Sequence, residues 1–389
     1  MYEHYVESLD GQRIAEVLWE LVRIPSPTGQ EREAALAFAK MLSSVGLQVE
    51  VDETIPESPC VVGRLKGCCR GPLLQLAGHI DHIAVEHPEP IRQADTISGR
   101  GCSDMKGGLA GMLEVVRLLA TDRDFPGEIL VTVYGLHEAP RGGGEGLQHL
   151  IERRVTGDAA FVFEGGQNQA VVVGKGQSVW NLCLTRDGDA CHELRRDASS
   201  DELVDTMLSL MQALRQTNRE LAAQKHNYPQ LGPESIFVGQ AHYGDFFNRA
   251  PKTCRLQGTW RWHPNRSFAW ACDRLAGLVA SLTIPEHVTV DSEWRFVGEA
   301  FSVDPAEPIV RCLRTAYQEL TGAQMPIAGT SMVTDTNRLV AQGKVPAISV
   351  GFDEATAHAD QESVRIGILQ RSSKIALRAI LGYLNQDEC

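Results

Sequence analysis

The chain has 389 residues, which at about 150 residues per domain points to two or three domains and excludes a short binding peptide or a single small module. Hydrophobic residues make up 43%, charged residues 22% and aromatic residues 6%, with 36 Gly and 18 Pro, a balance that excludes collagen-like and disordered chains. Thirty-seven Lys and Arg against 50 Asp and Glu leave a formal charge of −13, so no overall field favours nucleic acid or an anionic membrane surface.

The first residues, MYEHYVESLDGQR, lack the basic start, apolar stretch and small-residue site of a secretory signal, and no apolar run approaches the roughly 18 residues of a membrane span. The cytoplasm is the expected address. Ten cysteines (Cys60, Cys68, Cys69, Cys102, Cys183, Cys191, Cys254, Cys272, Cys312 and Cys389) include no CxxC pair and read as small core residues or incidental thiols of a reducing compartment. Ile14, Val17, Leu18, Leu21 and Val22 share a helical face that stops at the turn Ile24-Pro25-Ser26-Pro27-Thr28-Gly29, and a second amphipathic helix runs from about Glu31 to Ser44. Apolar runs at Val61 to Leu65, Leu73 to Ala77, Ile129 to Tyr134 and Ala159 to Phe163 read as buried strands, with a helix from about Gly108 to Ala120 among them. This alternation predicts an α/β domain with a mostly parallel sheet.

The texture changes after about Gly176. A strand (Ser178 to Thr185), a helix (Glu202 to Leu214), two strands (Ser235 to Gln240, Thr253 to His263), a helix (Phe268 to Leu282) and a strand (Val288 to Phe296) give β-α-β-β-α-β, the order of an α+β ferredoxin-like domain. From about Ala300 the α/β pattern returns, with a helix near Ile309 to Leu320, a strand at Ala347 to Val350 and a last helix from about Ile366 to Leu384. The expected organisation is therefore a catalytic domain in two parts, residues 1–177 and 299–389, interrupted by an inserted domain over 178–298.

Five segments carry the chemistry. A strand runs into Gly78-His79-Ile80-Asp81, where His79 would open onto the crevice at a sheet's carboxyl end and Asp81, two residues on, could orient its ring. Ser98-Gly99-Arg100-Gly101-Cys102-Ser103-Asp104-Met105-Lys106-Gly107-Gly108 places Asp104 at the start of a helix, where capping is the plainer alternative, and matches no phosphate-binding loop. Tyr134-Gly135-Leu136-His137-Glu138 and Phe163-Glu164-Gly165-Gly166 end the next strands, and Thr356-Ala357-His358-Ala359-Asp360-Gln361-Glu362 lies in the returning part. His79, Asp104, Glu138, Glu164 and His358 form a mixed N/O donor set suited to zinc or a similar divalent ion, with an Asp able to bridge two.

With these motifs in place the chain resembles the aminoacylase, carboxypeptidase G and succinyl-diaminopimelate desuccinylase family of dinuclear zinc hydrolases, most specifically over Gly99 to Gly108. The resemblance implies a catalytic domain of the zinc exopeptidase type, a lid that also forms a homodimer, and two Zn2+ per chain, with Mn2+ or Co2+ as alternatives. It implies Asp104 as the bridging ligand, His79 and Glu164 on one metal, Glu138 and His358 on the other, and Asp81 orienting His79. In the lid, His192 of Gly188-Asp189-Ala190-Cys191-His192 resembles a histidine that crosses the dimer to polarise the scissile carbonyl. Asn248 and Thr330 would contact substrate, and Arg261 of Thr259-Trp260-Arg261-Trp262 would hold an anionic group.

The pattern breaks at one point. Relatives end the third strand with two acidic residues, a general base and then a ligand, whereas this chain has His137-Glu138. A gap-free register makes His137 the base and Glu138 the ligand; the shifted register makes Glu138 the base, leaves Ala139 as ligand and predicts one metal. The gap-free register is favoured. A neutral imidazole can accept a proton from metal-activated water, but on doing so becomes a third cation beside two metals, which predicts slower hydrolysis or an unusual substrate. The leading expectation is hydrolysis of the amide of a small N-acyl amino acid-like substrate. The alternatives are cleavage of another C–N bond (ureido, amidine or aromatic amine) and a degenerate relative that binds metal or ligand without turnover.

Overall fold

The computed structural model describes residues 3–166, 168–352 and 355–385, so Cys389 lies outside the described residues. The chain divides into two compact units, one of residues 1–172, 303–328 and 334–389, the other of residues 173–302 and 329–333.

The first unit is built on a six-stranded sheet in the order Gln48–Asp52, Cys60–Lys66, Pro126–Tyr134, Cys69–His79, Ala159–Val162, Ala347–Ser349. The last four strands run parallel, and the first two add an antiparallel edge. Parallel strands are covered on both faces, which explains their continuous apolar runs. One face, with Cys60, Val62, Ala77, Leu130, Tyr134, Ala160, Val162 and Ala347, packs on Leu147, Leu150 and Leu339 of the helices Glu145–Glu152 and Asp335–Ala341. Helices Gly11–Val22, Gly107–Asp122, Pro308–Thr321 and Ile366–Asn385 pack on one another in a second layer. Register sets His79 opposite Tyr134 and Ala77 opposite Val162, so three neighbouring parallel strands finish at nearly the same level. The residues just beyond those ends share one crevice.

The second unit is a four-stranded antiparallel sheet in the order Ser235–Tyr243, Thr253–Trp262, Gly176–Arg186, Val288–Gly298, with helices Ala198–Ala223 and Phe268–Ala280. Burial alternates strictly along Gly176–Arg186, the signature of a sheet with one packed face. Trp180, Leu182, Leu184, Leu256, Trp260 and Trp262 meet Leu203, Leu210, Leu214 and Leu275 of the two helices in one core. Alternation along Thr253–Trp262 sends Arg261 to the opposite face from the two tryptophans.

Some elements differ from the sequence expectation. The helix expected over Glu202 to Leu214 spans Ala198–Ala223, because the Asp197 side chain caps its start and Thr217 and Leu221 extend the buried stripe through a segment rich in Arg, Gln and Asn. Strand Gln48–Asp52 and helices Glu145–Glu152 and Asp335–Ala341 were not anticipated; each is short and carries few apolar residues of its own. Among the described residues no helix is long and apolar enough to cross a membrane.

Helix Gly107–Asp122 meets the sheet closely at Gly108, where an added Cβ would lie 1.9 Å from the Phe163 carbonyl oxygen. A helix with a side chain there could not sit against the strand end that carries Glu164. Gly108→Ala is expected to destabilise the fold by about 1–3 kcal/mol and to weaken metal binding with it, checked by urea denaturation and by metal content after dialysis.

Candidate active site

The first-unit residues singled out in the sequence converge. His79 is fully buried at its strand end, with Nδ1 3.1 Å from the Asp81 carbonyl oxygen and Nε2 3.1 Å from Asp104 Oδ1 and 3.8 Å from Glu164 Oε2. His358, whose backbone is left-handed at φ 62, sets its Nε2 2.8 Å from Glu138 Oε1 and 3.3 Å from Asp104 Oδ2. Asp104 thus turns one oxygen to each histidine, the disposition of a carboxylate that bridges two ions. It is not a helix cap: its φ/ψ of −126/97 are non-helical, within the irregular turn Cys102–Lys106.

Asp81 ties the strand ends together. Its Oδ2 accepts bonds from Thr28 Oγ1 (3.0 Å), His137 N (3.0 Å) and Glu138 N (2.8 Å), while Oδ1 lies 3.5 Å from His79 Nδ1. Asp81 therefore contacts the ring of His79 on one strand through its backbone carbonyl and holds two residues beyond the next strand through its carboxylate. His137 lies flat on His79, ring centroids 4.0 Å apart and planes 1° from parallel. Its Nδ1 is 3.0 Å from Asp335 Oδ1, Tyr134 OH donates to Asp335 Oδ2 (2.8 Å), and Asp335 N donates to Glu164 Oε1 (3.1 Å).

The loop that carries Asp104 is held from behind. Glu362, 1% exposed, accepts bonds from the N–H groups of Gly101 (2.8 Å), Ser103 (2.8 Å) and Asp104 (3.0 Å) and from Arg100 Nη1 (3.2 Å). Lys106, fully buried, donates to the carbonyls of Leu21 (3.0 Å) and Ile24 (2.8 Å) at the end of helix Gly11–Val22, and burial pushes its amine down to about 7.

The electrostatics follow from crowding buried acids. Burial pushes Glu164 up to about 7, with Asp335 adding to the shift. Burial also opposes the charge on Asp104 and Asp81, yet the neighbouring histidines hold both below the usual carboxylate range. Burial opposes the charge on His79 too, but Asp104 and Asp81 raise it well above an ordinary imidazole. Bonds to Asp104 and Glu138 hold His358 near 10. For His137, burial and the neighbouring His79 oppose protonation, and Asp335 and Glu164 outweigh them to give about 9.

These residues fit divalent ions. One atom each of His79, Asp104 and Glu138, and of His79, His137 and Glu164, lie within 4.8 Å of one another. With Nδ1 turned to Asp81, His79 presents Nε2 to the carboxylates, the orientation a metal-ligating histidine takes.

In the second unit, Asn248 and His192 meet, the amide nitrogen 3.3 Å from His192 Nε2. His192 is exposed, and its Nδ1 accepts a bond from Leu194 N (3.2 Å). Arg261 donates to the Ser331 carbonyl, and Thr330 Oγ1 accepts from Met332 N (3.0 Å). Trp260 and Trp262 belong to the core of this unit, whereas Phe246 and Phe247 are exposed beside Asn248.

Sequence reading missed Asp335, Tyr134 and the part played by Glu362. Asp335 follows Thr334 at a helix start, where an acid reads as ordinary capping, Tyr134 reads as a core residue, and Glu362 stood only as the last letter of a motif.

A doubly covered parallel sheet whose strand ends gather three histidines and several carboxylates around positions for divalent ions defines a metal-dependent hydrolase of amide bonds. The chain belongs to Peptidase family M20/M25/M40, whose description matches residues 75–382. It is 25% identical over 398 residues to the N-formyl-4-amino-5-aminomethyl-2-methylpyrimidine deformylase of Bacillus subtilis (strain 168), spanning 93% of this chain and 92% of that one. It is 24% identical over 390 residues to the succinyl-diaminopimelate desuccinylase of Parvibaculum lavamentivorans (strain DS-1), spanning 94% of each. Its fold is similar to the YXEP protein of Bacillus subtilis, a dinuclear metal binding peptidase from the M20 family, with a TM-score of 0.69 and 14% identity over 96% of this chain and 98% of that one.

The raised imidazoles imply proton release when ions bind, because ligating histidines must be neutral. His358 has a folded value near 10 against an ordinary 6.5, so its ion pairs stabilise the metal-free protein fully below about 6.5, and that stability is lost as pH rises through about 10. Calorimetric titration of zinc into chelated protein at pH 7, in two buffers of different ionisation heat, is expected to show net release of at least about one proton per chain, declining toward pH 10. Zero release throughout would show the imidazoles already neutral.

Proposed function

We propose that the protein removes the acyl group from a small, anionic N-acyl amino acid-like substrate, using two zinc ions per chain. The observation that carries this is Asp104, whose Oδ1 is 3.1 Å from His79 and whose Oδ2 is 3.3 Å from His358. His79 and Glu164 would hold one ion, Glu138 and His358 the other, and Asp104 both. The contact between Glu138 and His358 supports the gap-free register, in which His137 takes the place of the acidic base. The removal of a formyl and a succinyl group, in the names of two relatives, supports acyl-amide cleavage as the chemistry.

When bound, the ions supply Lewis acidity that acidifies the attacking water and polarises the scissile carbonyl. His137 accepts a proton from that water and returns it to the departing amine nitrogen. His192, whose Nδ1 accepts a backbone N–H, polarises the scissile carbonyl as it develops oxyanion character. Arg261 binds the substrate's carboxylate, with Asn248 and Thr330 as further contacts.

The active unit is a homodimer formed through the second domain. Its edge strand Ser235–Tyr243 exposes Phe237 and Tyr243, and Met211, Leu214, Ile236 and Val238 line a groove of about 530 Å³ beside it. An unpaired sheet edge with an apolar groove favours a second copy as its cover. The proposed setting is the cytoplasm, where exposed thiols such as Cys68 and Cys69 stay reduced.

Elemental analysis of protein purified without chelator is expected to give about two divalent ions per chain, and their removal to abolish deacylation. One ion would favour the shifted register, and none after supplementation would overturn the hydrolase assignment. Arg261→Ala is expected to raise KM for carboxylate-bearing substrates by about 10–100-fold, the loss of one charged hydrogen-bonded contact, with kcat little changed in steady-state assays.

A further inference from the structure

We infer that Asp335 is a positioning residue for His137: it fixes the ring with hydrogen on Nδ1, leaving Nε2 as the only nitrogen able to take a proton, and Tyr134 holds Asp335 in place. The inference rests on the reading of His137 as proton acceptor and goes beyond it by naming the device that lets a histidine serve there.

A carboxylate base presents two equivalent oxygens and has no tautomer to choose. An imidazole has two distinct nitrogens, and the wrong tautomer cannot accept a proton where it is needed. Replacement of an acid by histidine therefore creates a demand that the acid never made. Three contacts meet it. The Asp335 carboxylate, 1% exposed, is an acceptor only when ionised, so at 3.0 Å from Nδ1 it requires that nitrogen to donate. Its other oxygen takes the Tyr134 hydroxyl at 2.8 Å, so both Asp335 oxygens are committed and the carboxylate cannot turn. Stacking on His79 at 4.0 Å and 1° fixes the ring plane, and the bond from His137 N to Asp81 fixes the backbone.

The test is a double-mutant cycle on the metal-loaded enzyme. Asp335→Asn keeps the side-chain shape but offers an amide donor to Nδ1, favouring hydrogen on Nε2. It is expected to lower kcat by about 100-fold or more with KM changed less than about threefold and metal content unchanged. On a His137→Glu background, where no tautomer exists, the same substitution is expected to change kcat by less than about threefold. In zinc-loaded protein labelled with 15N-histidine, the ring signals lost in His137→Gln are expected to report hydrogen on Nδ1 in the native protein and on Nε2 in Asp335→Asn. An equal fall of kcat on both backgrounds, loss of metal in Asp335→Asn, or an unchanged tautomer would overturn the inference while leaving His137 as acceptor. Full activity of His137→Gln would overturn the acceptor reading and this inference together.

Discussion

Everything at the strand ends answers one electrostatic problem: Asp81, Asp104, Glu138, Glu164 and Asp335 are crowded into one largely buried pocket and cannot all be ionised without positive charge between them. Carboxylates a few ångströms apart in a low dielectric drive one another's proton affinities up. Here His79, His137 and His358 take up that charge as raised imidazoles when no ion is bound. Divalent ions answer the same need with ligands already aimed. The pocket is costly to leave unneutralised, and that cost makes it selective for cations.

Holding such a pocket requires rigidity from behind. Glu362 gathers three backbone N–H groups of the Asp104 loop and the Arg100 guanidinium, so a segment with non-helical φ/ψ inside a helix entrance has its backbone donors satisfied. Lys106 ties the same loop to the end of the first long helix by donating to the carbonyls of Leu21 and Ile24, which satisfies acceptors the helix itself leaves open. Asp81 does the corresponding work between strands. The Asp104 loop is therefore positioned by several buried polar contacts, which are electrostatically stronger in a low-dielectric interior than in water.

His137 stands just beyond a strand end beside Glu138, where its ring is held by contacts on two sides. A ring stacked on His79 at 4.0 Å and set 3.0 Å from Asp335 is constrained in both plane and direction. The same Asp335 also donates its backbone N–H to Glu164, so one residue contacts both His137 and Glu164.

Apolar periodicity alone marked the parallel strands, the α+β insertion and its strand order, because continuous and alternating apolar runs report burial on two faces or one. His79, Glu138 and Glu164 were legible because each lies at or just beyond a strand end, Asp104 because it enters a helix in a glycine-rich turn, and His358 because it belongs to a His-x-x-x-Glu motif in the returning α/β part. Helix Asp335–Ala341 was not legible because it packs on elements far along the chain, and strand Gln48–Asp52 was not because it is a half-exposed edge with little apolar pattern of its own. At His137-Glu138 the gap-free count along the strand favoured one register over the other, although both spacings are chemically sensible. Sequence by itself thus determined the layers and the supply of candidate ligands, which are local properties of side-chain type and order. Only the tertiary structure decided which oxygen faces which nitrogen, because Asp335 and Glu362 reach His137 and Asp104 across about two hundred residues or more, a proximity that strand register and helix packing create and no local pattern encodes.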